Sequence, residues 1–347
     1  MIAFRRPLIV VGTLLFSSAL IVPAATANEI EEFYKDRTVS WRVGSSAGGN
    51  YALYARRLAD AMSKYIPGNP KILPTFSARG GGRTEAAYVS NVGPRDGSML
   101  GMTQQNVPIF FVLNPVGMKF DVSKWQWIGN AAKIGSVMAV MRSTGATSLK
   151  SLRKKRVIIG ATGPTSETFM NPTLANYFLG TRFKIVTGYR GSGPLFKALM
   201  GGETSAVAIS YVTFQTRFNS LVTENKIAFP FQVGLDAHPD LANVPVMWTL
   251  GKTKLDREAM KLVASSDRFG RSLWFPEGVP KARLQAFRDA FDKAVRDPVY
   301  IAQIKKALHP VNPVSGLEVE AAARELFATP QNVVNHTRKA LNIKIRK

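Results

Sequence analysis

The chain has 347 residues, with 46 lysines and arginines, 23 aspartates and glutamates, and no cysteine. Without cysteine it has no disulfide, no thiolate metal ligand and no thiol nucleophile. The net charge of +23 favours anionic partners, but the densest basic cluster, 153–156, is only four residues long, so a small anion such as a carboxylate is favoured over nucleic acid.

The first 27 residues have the pattern of a secretory signal peptide. Arg5 and Arg6 precede an apolar run at 7–22, and Pro23 and small residues up to Ala27 follow it. This run is shorter than a membrane-spanning helix usually is. We predict cleavage after Ala27, export to the periplasm, and a net charge lowered by two to +21. The remaining stretch of about 320 residues is more than one hydrophobic core usually accommodates, so we expect two domains.

Hydrophobic periodicity predicts alternating strands and helices over the first two thirds of the mature chain. The predicted strands are 38–44, 71–76, 98–103, 136–142, 157–160, 183–187, 206–211 and 228–233. The predicted helices are 51–66, 83–92, 166–179 and 194–200. Such alternation is typical of a Rossmann-like α/β protein with mostly parallel sheets.

After about residue 250 the pattern becomes helical. One strand at 272–275 precedes predicted helices at 281–296, 298–308, 316–327 and 330–341. A helical tail must bury its apolar stripes against structure that is already built.

We therefore expect the chain to cross into a second lobe near 136–148 and to return near 245–250. Lobe 1 would then comprise 28–135 and 250–347, and lobe 2 would comprise 136–249. Two crossovers form a hinge, and a hinge between two α/β lobes implies a cleft that closes.

Glycine-rich loops follow several predicted strands, at 48–49, 80–82, 160–163 and 188–193. Ligands of α/β sheets bind beyond the carboxyl ends of the strands. Glycine lets backbone N–H groups approach an oxyanion there, and the next helix contributes its positive N-terminal end. In ATGPTSETF, 161–169, Thr165 or Ser166 can cap that helix, and either hydroxyl could also contact a ligand.

The segment GSSAG, 44–48, fits the G-x-S-x-G motif of α/β hydrolases and makes Ser46 a candidate nucleophile. That fold needs earlier strands to supply its oxyanion loop, but only about 15 residues precede Gly44 in the mature chain. It also needs a histidine base on a loop, whereas His309 and His336 lie in the helical tail. We predict that Ser46 contacts a ligand without reacting, and that the protein is not an enzyme.

We predict neither a metal ion nor a cofactor. The three histidines, His238, His309 and His336, have no partner at metal-ligand spacing. No G-K-[ST] sequence is present, and 188–193 does not match the dinucleotide fingerprint.

Longer segments carry a family resemblance through nearly all of the mature chain. They are FYKDRTVSWRVG, YALYARRLA, SARGGGRTEAAYV, PRDGSMLGM, FDVSKWQWIGN, IIGATGPTS, GYRGSGPLFKALMGGE and FPEGVPKARLQAFRDAFDKAVRDP. In their order and spacing they resemble the periplasmic receptors of tripartite tricarboxylate transporters, the TctC or Bug family. The resemblance implies a two-lobed, type II periplasmic-binding-protein (Venus-flytrap) fold. Such a protein, expected to be a monomer, closes its cleft on a small carboxylic acid and delivers the acid to membrane transporter subunits.

The resemblance also implies which residues bind the ligand. In lobe 1 a carboxylate cradle and the polar end of a strand would comprise Ser46, Gly48, Gly49, Asn50, Tyr51, Thr103, Gln104 and Gln105. In lobe 2 a helix N-terminus and the remaining walls would comprise Thr162, Gly163, Thr165, Ser166, Tyr189, Arg190, Gly191, Ser192, Ser210 and Thr213.

Two departures from the family pattern leave the identity of the acid open. Ala52 stands where family members commonly have an aspartate, and Thr204 and Ser205 stand where an acidic residue is usual. A lost carboxylate should change which polar or cationic substituents the ligand carries. Two other functions remain as alternatives: a ligand sensor that presents its closed form to a signalling kinase, and a serine hydrolase that uses Ser46.

Overall fold

The computed structural model describes residues 24–189 and 191–344, in which the strands form two sheets. The strands are β1 (Thr38–Val43), β2 (Lys71–Phe76), β3 (Met99–Met102), β4 (Gln126–Asn130), β5 (Ser136–Met141), β6 (Val157–Ala161), β7 (Phe183–Thr187), β8 (Ala206–Ser210), β9 (Ile227–Val233), β10 (Ser272–Phe275) and β11 (Val314–Ser315). The helices are α1 (Ala24–Tyr34), α2 (Asn50–Ser63), α3 (Arg83–Asn91), α4 (Val107–Leu113), α5 (Leu149–Leu152), α6 (Glu167–Leu174), α7 (Ser192–Met200), α8 (Val212–Arg217), α9 (Asn219–Thr223), α10 (Lys254–Ala264), α11 (Lys281–Ala294), α12 (Pro298–Lys306), α13 (Gly316–Phe327) and α14 (Gln331–Ala340).

The six-stranded sheet has the order β11-β4-β10-β3-β1-β2. Strand β1 pairs in parallel with β2 and β3, because α2 and α3 carry the chain back along the sheet between these strands. Helix α2 buries Tyr51, Tyr54, Leu58 and Met62, whose spacing of three and four residues places them on one face. This face is part of the core beneath the sheet.

The five-stranded sheet has the order β7-β6-β8-β5-β9. Strand β6 is parallel to β7 and β8, but β5 is antiparallel to β8 and β9. In the other sheet, β10 and β11 run antiparallel to their neighbours. Both sheets are therefore mixed. Most strands of each sheet run in one direction, as predicted, but β5, β10 and β11 are reversed.

The crossing of the chain explains the reversed directions of β5 and β10. Strand β4 ends at Asn130, and β5 begins at Ser136 in the second sheet with no helix between them. Because the chain leaves one sheet at its carboxyl edge and enters the other at the facing edge, β5 must run opposite to β6 and β8. After β9 ends at Val233, the chain returns to the first sheet, where β10 begins at Ser272 and runs antiparallel to β3.

The C-terminal helices pack against the six-stranded sheet. Helix α11 contacts α2 and β4, α12 contacts α2, and α13 contacts β4. The packing leaves no space for a side chain at Gly129, where a Cβ atom would lie 2.2 Å from the ring of Phe291. Helix α14 contacts α4 and α10, and this region joins the apolar core of both sheets.

The observed bounds agree with most predicted elements to within a few residues. The periodicity did not predict eight of the observed elements, which are α1, α4, β4, α5, α8, α9, α10 and β11. The lobe boundaries at 28–135, 136–249 and 250–347 stay a prediction. The signal-peptide prediction falls mostly on 1–23, outside the described residues, and α1 runs through the predicted cleavage point, so cleavage also stays a prediction. Within 24–189 and 191–344, no helix has the length and apolarity that a membrane crossing requires.

Candidate functional site

Three loops meet at the carboxyl edge of the six-stranded sheet. The loop after β1 touches the glycine turn before α3 backbone to backbone, because a Cβ atom on Gly44 would lie 2.7 Å from the Cα atom of Gly82. Gly82 itself has a φ of 84°, a left-handed conformation that favours glycine. The side chain of Gln104, after β3, donates a hydrogen bond to the carbonyl oxygen of Gly44 at 3.0 Å. The sequence therefore builds one continuous rim from three separate segments.

The loop before α2 leaves a helix N-terminus open. Gly49 is the N-cap residue of α2 and has no side chain to accept from the first N–H groups. A Cβ atom there would lie 2.9 Å from the Ser45 hydroxyl oxygen, so a larger residue at this position must displace the Ser45 side chain. Ser46 and Gly48 are exposed, while Asn50 is partly buried. Free N–H groups and the positive end of a 14-residue helix suit a carboxylate.

The structure offers no base to Ser46. In the described part of the chain, no hydrogen bond joins Ser46 to a histidine. The Nδ1 atom of His309 lies 2.7 Å from the carbonyl oxygen of Ala307, and the Nε2 atom of His336 lies 2.8 Å from the Asp256 carboxylate.

Polar side chains continue along the end of β3. Thr103 is only 6% exposed, and its buried hydroxyl has no hydrogen-bond partner. The backbone N–H of Gln105 donates to the Tyr51 hydroxyl at 3.0 Å, and its side chain donates to the carbonyl of Ile134 at 3.2 Å. Gln105 thus ties α2 to the segment in which the chain crosses between the sheets.

The loop after β6 forms the matching rim of the five-stranded sheet. Ser166 occupies the N-cap position of α6, but its hydroxyl donates to the carbonyl of Gly163 at 2.7 Å and does not accept from a helix N–H. The backbone N–H of Thr162 donates to the Thr168 hydroxyl at 2.9 Å. The predicted cap position is confirmed, but the side chain leaves the first N–H groups of α6 uncapped.

The remaining predicted residues of lobe 2 separate into two groups. Ser210 and Thr213 bring their hydroxyl oxygens within 3.0 Å of each other at the end of β8. Tyr189 instead donates its hydroxyl to Glu203, in the turn that leads into β8, and this bond raises the Tyr189 pKa to about 12. Gly191 and Ser192 begin α7, with Gly191 at a φ of 102°. Arg190 lies outside the described residues.

Direct contacts join the two rims. The Asn50 side-chain amide donates to the Thr213 hydroxyl at 3.4 Å, and Arg217 donates to the carbonyl of Gly48 at 2.5 Å. A Cβ atom on Gly81 would lie 3.5 Å from the Thr165 hydroxyl oxygen. Residues predicted for lobe 1 and lobe 2 therefore face each other across one interface.

Three polar residues at this interface were missed by the sequence reasoning. Arg271 directly precedes β10, Glu167 is the first residue of α6, and Ser136 begins β5. The Ser136 hydroxyl donates to the Glu167 carboxylate. Burial raises the pKa of Glu167, and this hydrogen bond and the positive charge of Arg271 oppose the rise. Glu167 was visible inside ATGPTSETF, whereas no local pattern marks Arg271 as buried.

Two of the three residues that depart from the family pattern, Ala52 and Thr204, are buried, and Ser205 is partly buried. Ala52 is fully buried on α2. Thr204 is also buried, and its N–H donates to the carbonyl of Ala198 in its own lobe.

Outside the interface, a cavity of about 830 Å³ is lined by residues of α10, α13 and the start of α14. Among the residues that the structure describes, no group of three His, Cys, Asp or Glu side chains could hold a metal ion.

Comparison with known proteins gives matches among solved structures. No protein-family model matches the chain, and no curated protein matches it significantly. The periplasmic binding protein BugD aligns with a TM-score of 0.67 and 17% identity, over 90% of this chain and 100% of its own. The R. palustris protein Rpa4515 with adipate has a TM-score of 0.67 and 17% identity, over 89% of this chain and 99% of its own. MatC from Rhodopseudomonas palustris with bound malate has a TM-score of 0.64 and 16% identity, over 86% of this chain and 99% of its own.

These likenesses show that the chain has the two-lobed fold of periplasmic binding proteins. They confirm the two-lobed fold that the resemblance of the sequence segments implied.

Proposed function

We propose that the protein is a periplasmic solute-binding protein of the TctC/Bug type. It captures a small carboxylic acid between its lobes and delivers the acid to a tripartite tricarboxylate-type membrane transporter. The observation that carries the proposal is the meeting of the two polar rims, with Asn50 bonded to Thr213 and Arg217 bonded to Gly48. Bound adipate and malate in two proteins of the same fold support a carboxylate as the ligand.

The geometry suggests how the acid is held. The uncapped N-termini of α2 and α6 present N–H groups and partial positive charge from opposite lobes. Hydroxyl groups such as those of Ser46, Thr103 and Thr165 stand beside them as neutral donors. Charge-assisted hydrogen bonds to a carboxylate are roughly twice as strong as neutral ones. The acid is thus bound and released unchanged, without a catalytic residue.

Opening and closing follow from the same contacts. The bonds of Asn50 and Arg217 cross the interface, so they must break when the lobes separate to admit the ligand. A ligand that contacts both rims stabilises the closed form, since binding shifts the equilibrium towards the state with more contacts.

A thermal-shift screen of mono-, di- and tricarboxylates and aromatic acids tests this function. An acid present at 100 times its dissociation constant should add about 2.7 kcal/mol to the free energy of unfolding. An acid found in this way is then titrated beside its methyl ester, first at low and then at high salt. The ester should bind more weakly, and salt should weaken binding of the acid, because the chain is strongly cationic. Equal affinities for acid and ester would contradict the carboxylate proposal.

The partner requires a separate experiment. Recovery of transporter membrane subunits with the acid-loaded protein, but not with the empty protein, would support delivery to a transporter. Recovery of a sensor kinase would favour the signalling alternative.

A further inference from the structure

The interface contains an unusual buried cation. Among the described residues, Arg271 is the only lysine or arginine that is buried, with 2% of its surface exposed. One guanidinium nitrogen, Nη1, donates to the carbonyl of Gly270 at 2.9 Å. The Nε–H is buried and has no hydrogen-bond partner. A guanidinium carries five N–H donors in a planar fork that matches a carboxylate, and in Arg271 the Nε–H donor is unused.

Aromatic contacts hold the guanidinium but do not neutralise it. Its central carbon lies 3.8 Å from the ring centre of Tyr51 and 5.7 Å from that of Tyr54. Across the described residues, no carboxylate lies within 4.0 Å of Arg271. A buried charge without a partner is costly, and the cost is recovered only when an anion with good geometry binds.

Hydrogen bonds of its backbone N–H fix the position of Arg271. The N–H of Arg271 donates to the fully buried side chain of Asn130 at 2.7 Å and to the carbonyl of Ala132 at 3.1 Å. Arg271 is therefore anchored beside the segment in which the chain passes from one lobe to the other. The next strand pairs Leu273 with Met102, so Arg271 lies at the same edge of the sheet as the polar end of β3.

A carboxyl group occupies the other side of the interface. Glu167 begins α6, and its Oε2 atom accepts from Ser136, which is paired with Ser210 at the edge of the second sheet. Glu167 is surrounded by protein atoms, which raises its pKa, but part of its surface stays exposed and can contact a ligand. Burial raises the pKa of Tyr51, while the charge of Arg271 lowers it and that of Glu167 raises it, so both charges act on this one side chain.

We propose that Arg271 binds the carboxylate of the ligand, and that Glu167 accepts a hydrogen bond from a hydroxyl or ammonium group on the same ligand. This inference rests on the proposed function and narrows its ligand to a hydroxy- or amino-substituted carboxylic acid. The ligand then bridges a cation of lobe 1 and a carboxyl group of lobe 2, and neither group is left without a partner.

The test uses succinate, malate and aspartate, which share a four-carbon diacid skeleton and differ at one carbon by hydrogen, hydroxyl or ammonium. Isothermal titration of the full chain should give malate or aspartate an affinity about tenfold or more above that of succinate. In Glu167→Gln this preference should fall by about tenfold, most of all for aspartate, while succinate binding stays unchanged. In Arg271→Gln all three acids should lose about 100-fold or more, and Arg271→Lys should recover part of the loss.

Arg268→Gln is the matched control, because it removes the same charge three residues away. Arg268 is partly exposed and pairs with Glu325, outside the interface. Circular dichroism of each variant without ligand checks the fold. If Arg271→Gln does not fold, Arg271→Lys and the accessible Glu167→Gln decide the question.

The outcomes separate this inference from the proposed function. Acids that bind the normal protein and the Arg271 variants equally would overturn the inference and leave the proposed function standing. A preference for succinate, or for adipate, over the substituted acids would overturn the part assigned to Glu167. If no acid of the full carboxylate panel binds the normal protein, the proposed function fails and this inference fails with it.

Discussion

Replacement of Asp267 by asparagine should change how the stability of the protein depends on pH. Asp267 lies four residues before Arg271. Its Oδ2 atom accepts a hydrogen bond at 2.8 Å from the N–H of Leu235, which follows β9. The other oxygen, Oδ1, is buried without a partner. Burial raises the pKa of Asp267 from 3.8 to about 6, against the hydrogen bond from Leu235 and the charge of Arg268.

The sign follows from the raised pKa. The fold favours the neutral acid, so its stabilising contribution is complete below pH 3.8 and is lost as the pH rises through about 6. At about 1.36 kcal/mol per pKa unit, the ionised carboxylate costs about 3 kcal/mol at neutral pH. Asparagine keeps the acceptor for Leu235 and cannot ionise. Its NH₂ group in place of Oδ1 adds a cost that does not vary with pH.

Urea denaturation at a series of pH values measures this effect. Between pH 4 and pH 7.5, the stability of Asp267→Asn relative to the normal protein should rise by about 2 kcal/mol. Asp60→Asn removes the same charge from an exposed position on α2 and should show no such trend. A stability difference for Asp267→Asn that is flat across this range would refute the reasoning.

Three further predictions concern the loop before α2, the closure of the lobes and the core of the first sheet. In titrations with an identified acid, Ser46→Ala should lose about 1 kcal/mol of binding for one neutral hydrogen bond. Gly49→Val should lose far more, because its Cβ would lie 2.9 Å from the Ser45 hydroxyl oxygen; an equal loss would contradict the role of this turn. Small-angle scattering should show a smaller radius of gyration with saturating acid, and an unchanged profile would indicate a rigid site. Gly129→Ala should reduce the free energy of unfolding by about 1–3 kcal/mol, because its Cβ would overlap the Phe291 ring; unchanged denaturation would contradict this packing.

Hydrophobic periodicity predicted most helices and strands because the apolar face of each of these elements packs against a core. The elements that escaped prediction had ambiguous or overlooked signals. The run at 107–113 is apolar throughout, so its periodicity does not separate helix from strand, and the structure makes it α4. Helix α10 begins with a capping box between Thr253 and Asp256, a signal that was present in the sequence.

Hydrophobic periodicity does not predict the direction of a strand within its sheet. A strand that follows a helix within one sheet returns parallel to its predecessor, but β5 and β10 come from the other lobe. Each of them enters its sheet at the carboxyl edge and must run antiparallel. The reversal of β5 and β10 is thus a consequence of the two crossings, whose places were predicted without this conclusion. Strand β11 is also antiparallel, but it follows α12 and not a crossing.

The same topology explains why part of the candidate site was missed. The candidate residues were predicted in loops that follow strands, since the carboxyl ends of parallel strands form the usual ligand edge. Strands that enter from the other lobe begin at that edge, so the residues at and before their first positions also face the cleft. Ser136 at the start of β5 and Arg271 before β10 occupy these places, and Glu167 lies against one of them. In a two-lobed α/β chain, the first residues after each crossing are therefore as informative about the ligand as the glycine-rich loops.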